Sequence, residues 1–311
     1  MHSGVCAQPT VAVRQSLVSS PVARRAGKGI HSSRWSRDWI PFHRLWLARD
    51  DTVTSPTLRA PPETPHNVRM EWTDEGIILG ARRHGENSVI LEAMTRHHGR
   101  HLGIVRGGRS ARFGPVLQPG NTVSLVWRAR LDEHLGQYSV EGLNLRAGQL
   151  MPQAASLYGL THMASLVRLL AEREPHEGLY AALDVVLGHL DVPGIAAPLV
   201  VRFELELLAE LGFGLDLASC AVTGGTQELI YVSPKTGRAV SARAGAAYAD
   251  RLLALPTFVR EGFLGDGITA AEMADGFALT GFFLQRHVYE PRGMLALDER
   301  AAFAAAVART G

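Results

Sequence analysis

The sequence has very little lysine and very little cysteine. Only two lysines, Lys28 and Lys235, occur among 32 basic residues, so arginine carries nearly all of the positive charge. The two cysteines, Cys6 and Cys220, are too few for a disulfide framework or a site of four thiolates. We therefore expect a reducing, cytoplasmic environment and no metal or other cofactor.

Long apolar runs and motifs of catalysis are also missing. No run of about 18 apolar residues occurs, so the sequence predicts no membrane-spanning helix. Neither lysine follows the glycines of a phosphate-binding loop, and the GxGxxA string that begins at Gly265 lies in no strand–helix unit. Four clustered histidines are interpreted as exposed turn residues rather than metal ligands: His84, His97, His98 and His101. We expect a binding protein and not an enzyme.

The N-terminal 69 residues differ in composition from the rest of the chain. Only one acid, Asp38, occurs before Arg49, and residues 52–65 are rich in proline and threonine, as linkers are. A coherent pattern of strands begins at Met70. We predict that residues 1–69 are a disordered or mis-assigned extension, with Met70 as the natural start.

Positive charge is concentrated between Arg96 and Leu131. The net charge of the 311 residues is only +2, but this stretch has no aspartate or glutamate. Its arginines are Arg96, Arg100, Arg106, Arg109, Arg112, Arg128 and Arg130. A polyanion is the expected partner, because neutralised phosphates release counterions and guanidinium groups stack on bases. A merely solvated arginine surface is the alternative that stays open.

Alternating apolar and polar residues predict strands from Met70 to about residue 150. The clearest alternation places Val123, Leu125 and Trp127 on one face of a strand and Arg128 on the other. A partner strand follows at residues 137–145, where Gly142 marks a change of phase typical of a β-bulge. Five short strands without helices predict a barrel of the OB type over residues 70–150.

After Pro152 the apolar period changes from two residues to that of a helix. This pattern predicts an α-helical domain over residues 151–311, with helices near 157–171, 176–190, 198–211, 245–255, 269–287 and 298–309. Residues 215–243 break the pattern and predict an insert with a hairpin. The sequence as a whole predicts an α+β multidomain protein.

Several blocks of the sequence resemble a known family. From Asp74 to Arg109, DEGIIL is followed by GE, a hydrophobic strand, HGR and VRGGR, which is similar to the opening of the bacterial RecO family. LQPGNTVSLVWRARLDEHLG, RFELELLAELGFGLDLASCAVTG and YVSPKTGRAV resemble later blocks of that family. The resemblance extends from Met70 to about Val288.

The resemblance implies a recombination mediator of DNA repair with an N-terminal OB-fold and a helical domain. Such proteins bind single- and double-stranded DNA and anneal complementary strands at the nucleoid. With RecR and the C-terminal tail of the single-strand-binding protein, they help to load RecA. Some members carry a zinc-finger-like insert with two CxxC pairs, whereas this sequence has Cys220, Thr223, Ser241 and Ala244 there. One thiolate cannot hold zinc, so we expect a degenerate, metal-free insert.

The candidate DNA contacts are the arginines of the predicted barrel and a neighbouring histidine: Arg100, Arg106, Arg109, Arg112, Arg128, Arg130 and His101. Trp127 shares its phase with apolar residues, so we predict that it packs in the core. Arg202, on a predicted helix, is the candidate for binding an acidic partner tail. An RNA-binding OB module and a protein-interaction scaffold remain alternatives, since charge and stacking suit both nucleic acids.

Overall fold

The computed structural model describes residues 70–261, 267–295 and 298–309. The expectations for residues 1–69 lie outside these ranges. Within them, a five-stranded barrel is followed by a helical region that carries a small three-stranded sheet. No helix in the described ranges has the length and apolar character needed to cross a bilayer.

The barrel has five strands: β1 (Met70–His84), β2 (Ser88–Thr95), β3 (Gly99–Val105), β4 (Thr122–Ala129) and β5 (Gln137–Asn144). They close in the order β1-β2-β3-β5-β4. All neighbours are antiparallel except β3 and β5, which are parallel and meet at Ile104 and Gln137. This arrangement confirms the predicted OB-type barrel.

Two irregularities in register let the barrel close. The first half of β1 pairs with β4 and the second half with β2, and the register shifts between Ile78 and Gly80. In β5 the register skips one residue after Gly142, which confirms the bulge predicted there. An extra residue on one strand bends it and increases its twist, as a small closed barrel requires.

The interior of the barrel is built from alternate residues of the strands. Leu91, Val123, Leu125 and Trp127 have no exposed surface, and each large apolar side chain buried in this way contributes about 2 kcal/mol. The indole N–H of Trp127 donates to the Leu135 carbonyl at 3.1 Å. The prediction that Trp127 packs in the core is confirmed.

The helices are α1 (Ala147–Leu150), α2 (Ala154–Val167), α3 (Glu177–Leu187), α4 (Pro193–Glu210), α5 (Ala242–Gly245), α6 (Thr257–Glu261), α7 (Ala270–Leu284) and α8 (Asp298–Ala308). The helical region is organised around α4, whose buried residues include Phe203 and Leu207. Helices α2, α3, α6, α7 and α8 pack against it, and α8 also packs on α2.

One predicted helix is wrong. Instead of a helix near residues 245–255, the chain forms the short α5, a 3-10 stretch at Ala246–Arg251 and a strand, β8 (Leu253–Ala254). Tyr248 breaks the helical geometry with a φ of −131°. The apolar residues here do not form a helical stripe against the core, because β8 pairs with β6 (Leu229–Val232) instead.

The insert contains the predicted hairpin, formed by β6 and β7 (Ala239–Ser241). Cys220 is buried, and its sulfur accepts a hydrogen bond from the Ser241 backbone N–H at 3.3 Å. The Cys220 N–H donates to the Gly225 carbonyl at 2.8 Å, so hydrogen bonds hold the loop to the hairpin. In the described ranges, no three His, Cys, Asp or Glu side chains are placed to hold a metal ion.

Candidate nucleic-acid interface

Five exposed arginines lie at the end of β1 and in the loop that follows β3. The first two precede the β1–β2 turn at residues 85–87, and the other three lie in the β3–β4 loop, residues 106–121. We call these five residues the arginine surface: Arg82, Arg83, Arg106, Arg109 and Arg112.

Strand register brings the two parts of the arginine surface together. Val89 of β2 pairs with Arg83 of β1 on one side and with Val105 of β3 on the other. The Arg109 N–H donates to the Asn87 carbonyl at 3.3 Å, and its guanidinium donates to the Glu86 carbonyl. The β3–β4 loop therefore folds back onto the β1–β2 turn.

Glycine and leucine shape the β3–β4 loop. Gly107 has a φ of +67°, which favours glycine. A Cβ on Gly108 would lie 2.6 Å from Val89 Cγ2, so only a bare backbone can approach β2 this closely. Leu117 is buried in the barrel core and anchors the far end of the loop. With these apolar contacts directed inward, the loop arginines are left in solvent.

The charge of this surface is almost entirely positive. Residues 82–121 contain two acids, Glu86 and Glu92. Glu92 is engaged by Arg100 and Arg168 on the outer face of β2. No carboxylate of a described residue forms an ion pair with any of the five guanidinium groups. The surface can therefore take anionic oxygen atoms as ligands without first breaking an ion pair.

Arg100 does not belong to this surface, contrary to the prediction. Its side chain is 17% exposed and donates to Glu92 at 3.0 Å and to the Leu170 carbonyl at 3.3 Å. The backbone of Arg173 also donates to the Arg100 carbonyl at 2.8 Å. Arg100 does point out of the barrel, but the chain after α2 covers that face. It therefore joins the barrel to the helical region.

His101 was predicted as a DNA contact, but it is buried inside the barrel. It points into the barrel, is 2% exposed, and hydrogen-bonds through Nδ1 to the Tyr138 hydroxyl at 2.9 Å. Trp72 and Trp127 contact its ring edge-on. Burial and then the charge of Arg173 lower the pKa of His101 to about 4, so the ring is neutral near pH 7. A buried, neutral ring cannot contact a phosphate.

The buried His101 predicts a loss of stability in mild acid. An unfolded histidine has a pKa of about 6.5, so protons bind preferentially to the unfolded chain between that value and the folded pKa of about 4. The contribution of the neutral His101 ring to the free energy of unfolding is complete above about pH 6.5, and up to about 3 kcal/mol of it is lost as the pH falls towards 4. Urea unfolding of the wild type and His101→Phe between pH 7.5 and 4.5 measures it. A pH dependence that is the same in both proteins would contradict the prediction.

Arg128 and Arg130 lie apart from the arginine surface, at the end of β4. Arg128 is paired with Glu71 through two bonds of 2.8 and 2.9 Å, and both side chains are about half exposed. An exposed pair of this kind is screened by solvent and contributes little to stability, so an anion can compete for the arginine. Arg130 is exposed. Both residues remain candidates for peripheral contacts.

Arg202 is not an outward-facing residue of the helical region. It is half-buried, and its guanidinium donates to the Phe258 carbonyl at 3.1 Å. Burial lowers the pKa of Arg202 from its ordinary value, although Glu206 acts in the opposite direction. Arg202 does lie on a helix, as predicted, but α6 covers this side of α4. Arg202 therefore connects α4 and α6, and its guanidinium is not presented to a partner tail as predicted.

Sequence reasoning missed Arg82 and Arg83. The acid-free stretch from Arg96 to Leu131 defined the predicted set, and Glu86 and Glu92 separate the two arginines from it. Their signal was two adjacent basic residues directly before His84–Asn87, HGEN, a sequence typical of a turn. A hairpin turn and the loop of the next strand lie at the same end of a barrel, so the turn could have been included.

Comparison with known proteins relates the barrel and the helical region to the same protein family. Residues 70–145 match the model of the N-terminal domain of recombination protein O, and residues 151–296 match that of its C-terminal domain. The DNA repair protein RecO of a Bradyrhizobium species is 60% identical over 240 residues, covering 77% of this chain and 97% of that protein. The corresponding protein of a Chelativorans species is 61% identical over 242 residues, covering 77% and 96%. The chain therefore belongs to the RecO family of DNA repair proteins.

Proposed function

We propose that this protein is a recombination mediator that binds single- and double-stranded DNA through the arginine surface and anneals complementary strands. The observation that carries the proposal is the clustering of five exposed arginines, none held by a carboxylate of the described residues, at the end of β1 and in the β3–β4 loop of an OB-type barrel. OB barrels hold oligonucleotides on the face of their second and third strands and with loops that include the one between the first and second strands, next to which Arg82 and Arg83 lie. The RecO relatives are DNA repair proteins by name.

The chemistry of the surface suits contact with the DNA backbone. A guanidinium group presents its donors as a planar fork that matches two phosphate oxygens. The β3–β4 loop supplies one aromatic ring, Phe113, and that ring packs partly against the barrel core. Binding through phosphates leaves the base edges open. Neutralised backbones approach one another more easily, so pairing of a second strand is promoted.

The same proposal includes the wider repair reaction. RecR and the C-terminal tail of the single-strand-binding protein are the proposed partners, and RecA is loaded indirectly, at the nucleoid. Family membership supports these partners, and the arginine surface supports the DNA component. Binding and annealing require neither a catalytic group nor a cofactor, so the proposed protein is not an enzyme.

The salt dependence of DNA binding tests the proposal. Each phosphate neutralised on a single strand contributes about −0.7 to the slope of log affinity against log salt, so five contacts predict about −3.5. Fluorescence anisotropy of a labelled oligothymidine between 50 and 300 mM NaCl measures the slope, and strand annealing is followed in the same buffers. We expect annealing to weaken with salt in parallel with binding.

Matched RNA strands serve as the competitor in the same assay. Preferential release of DNA by RNA would replace the proposal with an RNA-binding module. Salt-independent binding, or no binding to either nucleic acid, would contradict it and favour a protein-interaction scaffold.

A further inference from the structure

We infer that Asn121 is a positioning residue that holds the β3–β4 loop, and with it the loop arginines, against the helical region. The inference rests on the proposed function, because it concerns the same DNA-binding surface. Asn121 itself has no exposed surface, so it does not reach DNA directly. It would act only through the arginines that it positions.

Both polar atoms of the Asn121 side-chain amide are hydrogen-bonded. Its Nδ2 donates to the carbonyls of Pro115 and Val116 at 2.9 and 3.0 Å. Its Oδ1 accepts from the Ala147 N–H, at the start of α1, at 2.9 Å. An amide has two N–H donors and one oxygen, so these three bonds fix its orientation. One side chain thus joins the loop to the helical region.

The backbone of Asn121 provides a fixed base for these bonds. The Ile78 N–H donates to the Asn121 carbonyl at 2.9 Å, and the Gly120 N–H donates to the Ile78 carbonyl at 2.8 Å. Gly120 has a φ of +87°, and a Cβ there would lie 3.1 Å from Leu160 Cδ1. The Pro-Gly-Asn turn is therefore locked to β1 on one side and packed against α2 on the other.

The carbonyls that Asn121 holds lie directly beyond the arginines. Within the loop, the Phe113 N–H donates to the Ser110 carbonyl and the Leu117 N–H donates to the Phe113 carbonyl, at 3.0 and 2.9 Å. These bonds form a turn that carries Arg112. Without Asn121, the far end of this turn loses both bonds at Pro115 and Val116. Arg109 and Arg112 would then have to be ordered by DNA itself.

Thr122 offers a matched control at the same junction. Its hydroxyl accepts from Arg146, at 2.9 Å, and Arg146 also donates to Asp184 of α3 at 2.6 Å. Like Asn121, Thr122 is buried and tied to the helical region, but it makes no side-chain bond to the loop carbonyls. Thr122→Val therefore weakens the junction without releasing the loop.

The test compares Asn121→Asp with Thr122→Val in the full chain. Aspartate keeps the size of asparagine and the acceptor for the Ala147 N–H, but it removes the donors to Pro115 and Val116. We expect Asn121→Asp to weaken oligothymidine binding about tenfold, as two lost hydrogen bonds would. The salt slope should become shallower by about 0.7, because a loop arginine disengages. Thr122→Val should lower Tm and leave the slope unchanged.

A double-mutant cycle separates positioning from general destabilisation. In an Arg109→Ala/Arg112→Ala background, Asn121→Asp should cause little further loss of affinity, because the residues through which it acts are gone. Fully additive losses, or an unchanged slope in Asn121→Asp, would overturn the inference. If the arginine variant itself bound DNA as the wild type does, the proposed surface would be wrong instead. Asn121→Ser is the second variant, and unfolding of both would assign Asn121 to stability alone.

Discussion

Replacing Arg106, Arg109 and Arg112 together with glutamate is expected to reduce affinity for single-stranded DNA by a hundredfold or more at 100 mM salt. Each lost phosphate contact removes about 0.7 of a released counterion, which is worth about fivefold in affinity at this salt concentration. Three lost contacts multiply to about a hundredfold, and the new carboxylates add repulsion. Anisotropy titration with oligothymidine measures the change, and annealing should fall with it.

The control for this variant must carry the same change of net charge. Arg243, Arg251 and Arg292 are exposed in the helical region, and their replacement with glutamate also lowers the net charge by six. Because attraction between exposed charges is screened beyond about 10 Å, this control should bind within about threefold of the wild type. Equal loss in the two variants would show that overall charge governs binding, and it would contradict the assignment of the arginine surface.

The loop variant should keep its fold. Its three arginines are exposed, and of the three Arg109 alone has a side-chain hydrogen bond to a described residue, at the Glu86 carbonyl. The guanidinium of Arg112 lies over the Phe113 ring, 5.8 Å from its centre. Surface substitutions of this kind usually change stability by less than about 0.5 kcal/mol. Loss of binding with an unchanged Tm would therefore report on DNA contact and not on unfolding.

The barrel could be predicted from the sequence because its signals are local. Alternation along β4 identified the inner face and placed Trp127 in the core, and Gly142 identified the bulge. The same rule could have placed His101 inside, since Gly99, Gly103 and Val105 share its phase and are buried. The prediction weighed the charge of histidine above its position in the strand, and this produced the error.

The wrong predictions for arginine have a different physical cause. Alternation does show that Arg100 points outward, but it cannot show that another part of the chain covers that face. The spacing of Arg202 and Glu206 is typical of a solvent-exposed helix, yet α4 is surrounded by other helices. These contacts join segments 70 and 56 residues apart, and such contacts are set by tertiary packing, which a single sequence does not record.

The polar centre of the helical region was also beyond sequence reasoning. Glu204 has no exposed surface and accepts hydrogen bonds from His162, Thr280 and Arg300. The bonds from His162 Nε2 and Arg300 Nε are both 2.7 Å long, and Arg300 Nη2 adds a third of 2.9 Å. These partners lie on α2, α7 and α8, so one carboxylate on α4 connects four helices. Burial alone would raise the pKa of Glu204, but Arg300 and His162 outweigh it and lower the pKa to about 2.

Glu204→Ala is expected to destabilise the protein by about 3 to 5 kcal/mol, because it leaves the Arg300 guanidinium buried without its counter-charge. The Arg300 side chain is 16% exposed, so water cannot replace the carboxylate without opening the contact with α8. Urea unfolding near pH 7 measures the loss. If the variant is folded at 25 °C, its affinity for DNA should be that of the wild type, since the arginine surface lies on the barrel.

Two comparisons distinguish a buried ion pair from simple loss of volume. Glu204→Leu with Arg300→Leu removes both charges and retains apolar bulk, so it should recover much of the stability that Glu204→Ala loses. The folded pKa of Glu204 is depressed, so its contribution is present above about pH 4.5 and is lost as the pH falls towards 2. The difference between the wild type and Glu204→Ala should therefore shrink below pH 4.5. A constant difference, with no recovery in the double variant, would mean that Glu204 stabilises the four helices by packing and not by charge.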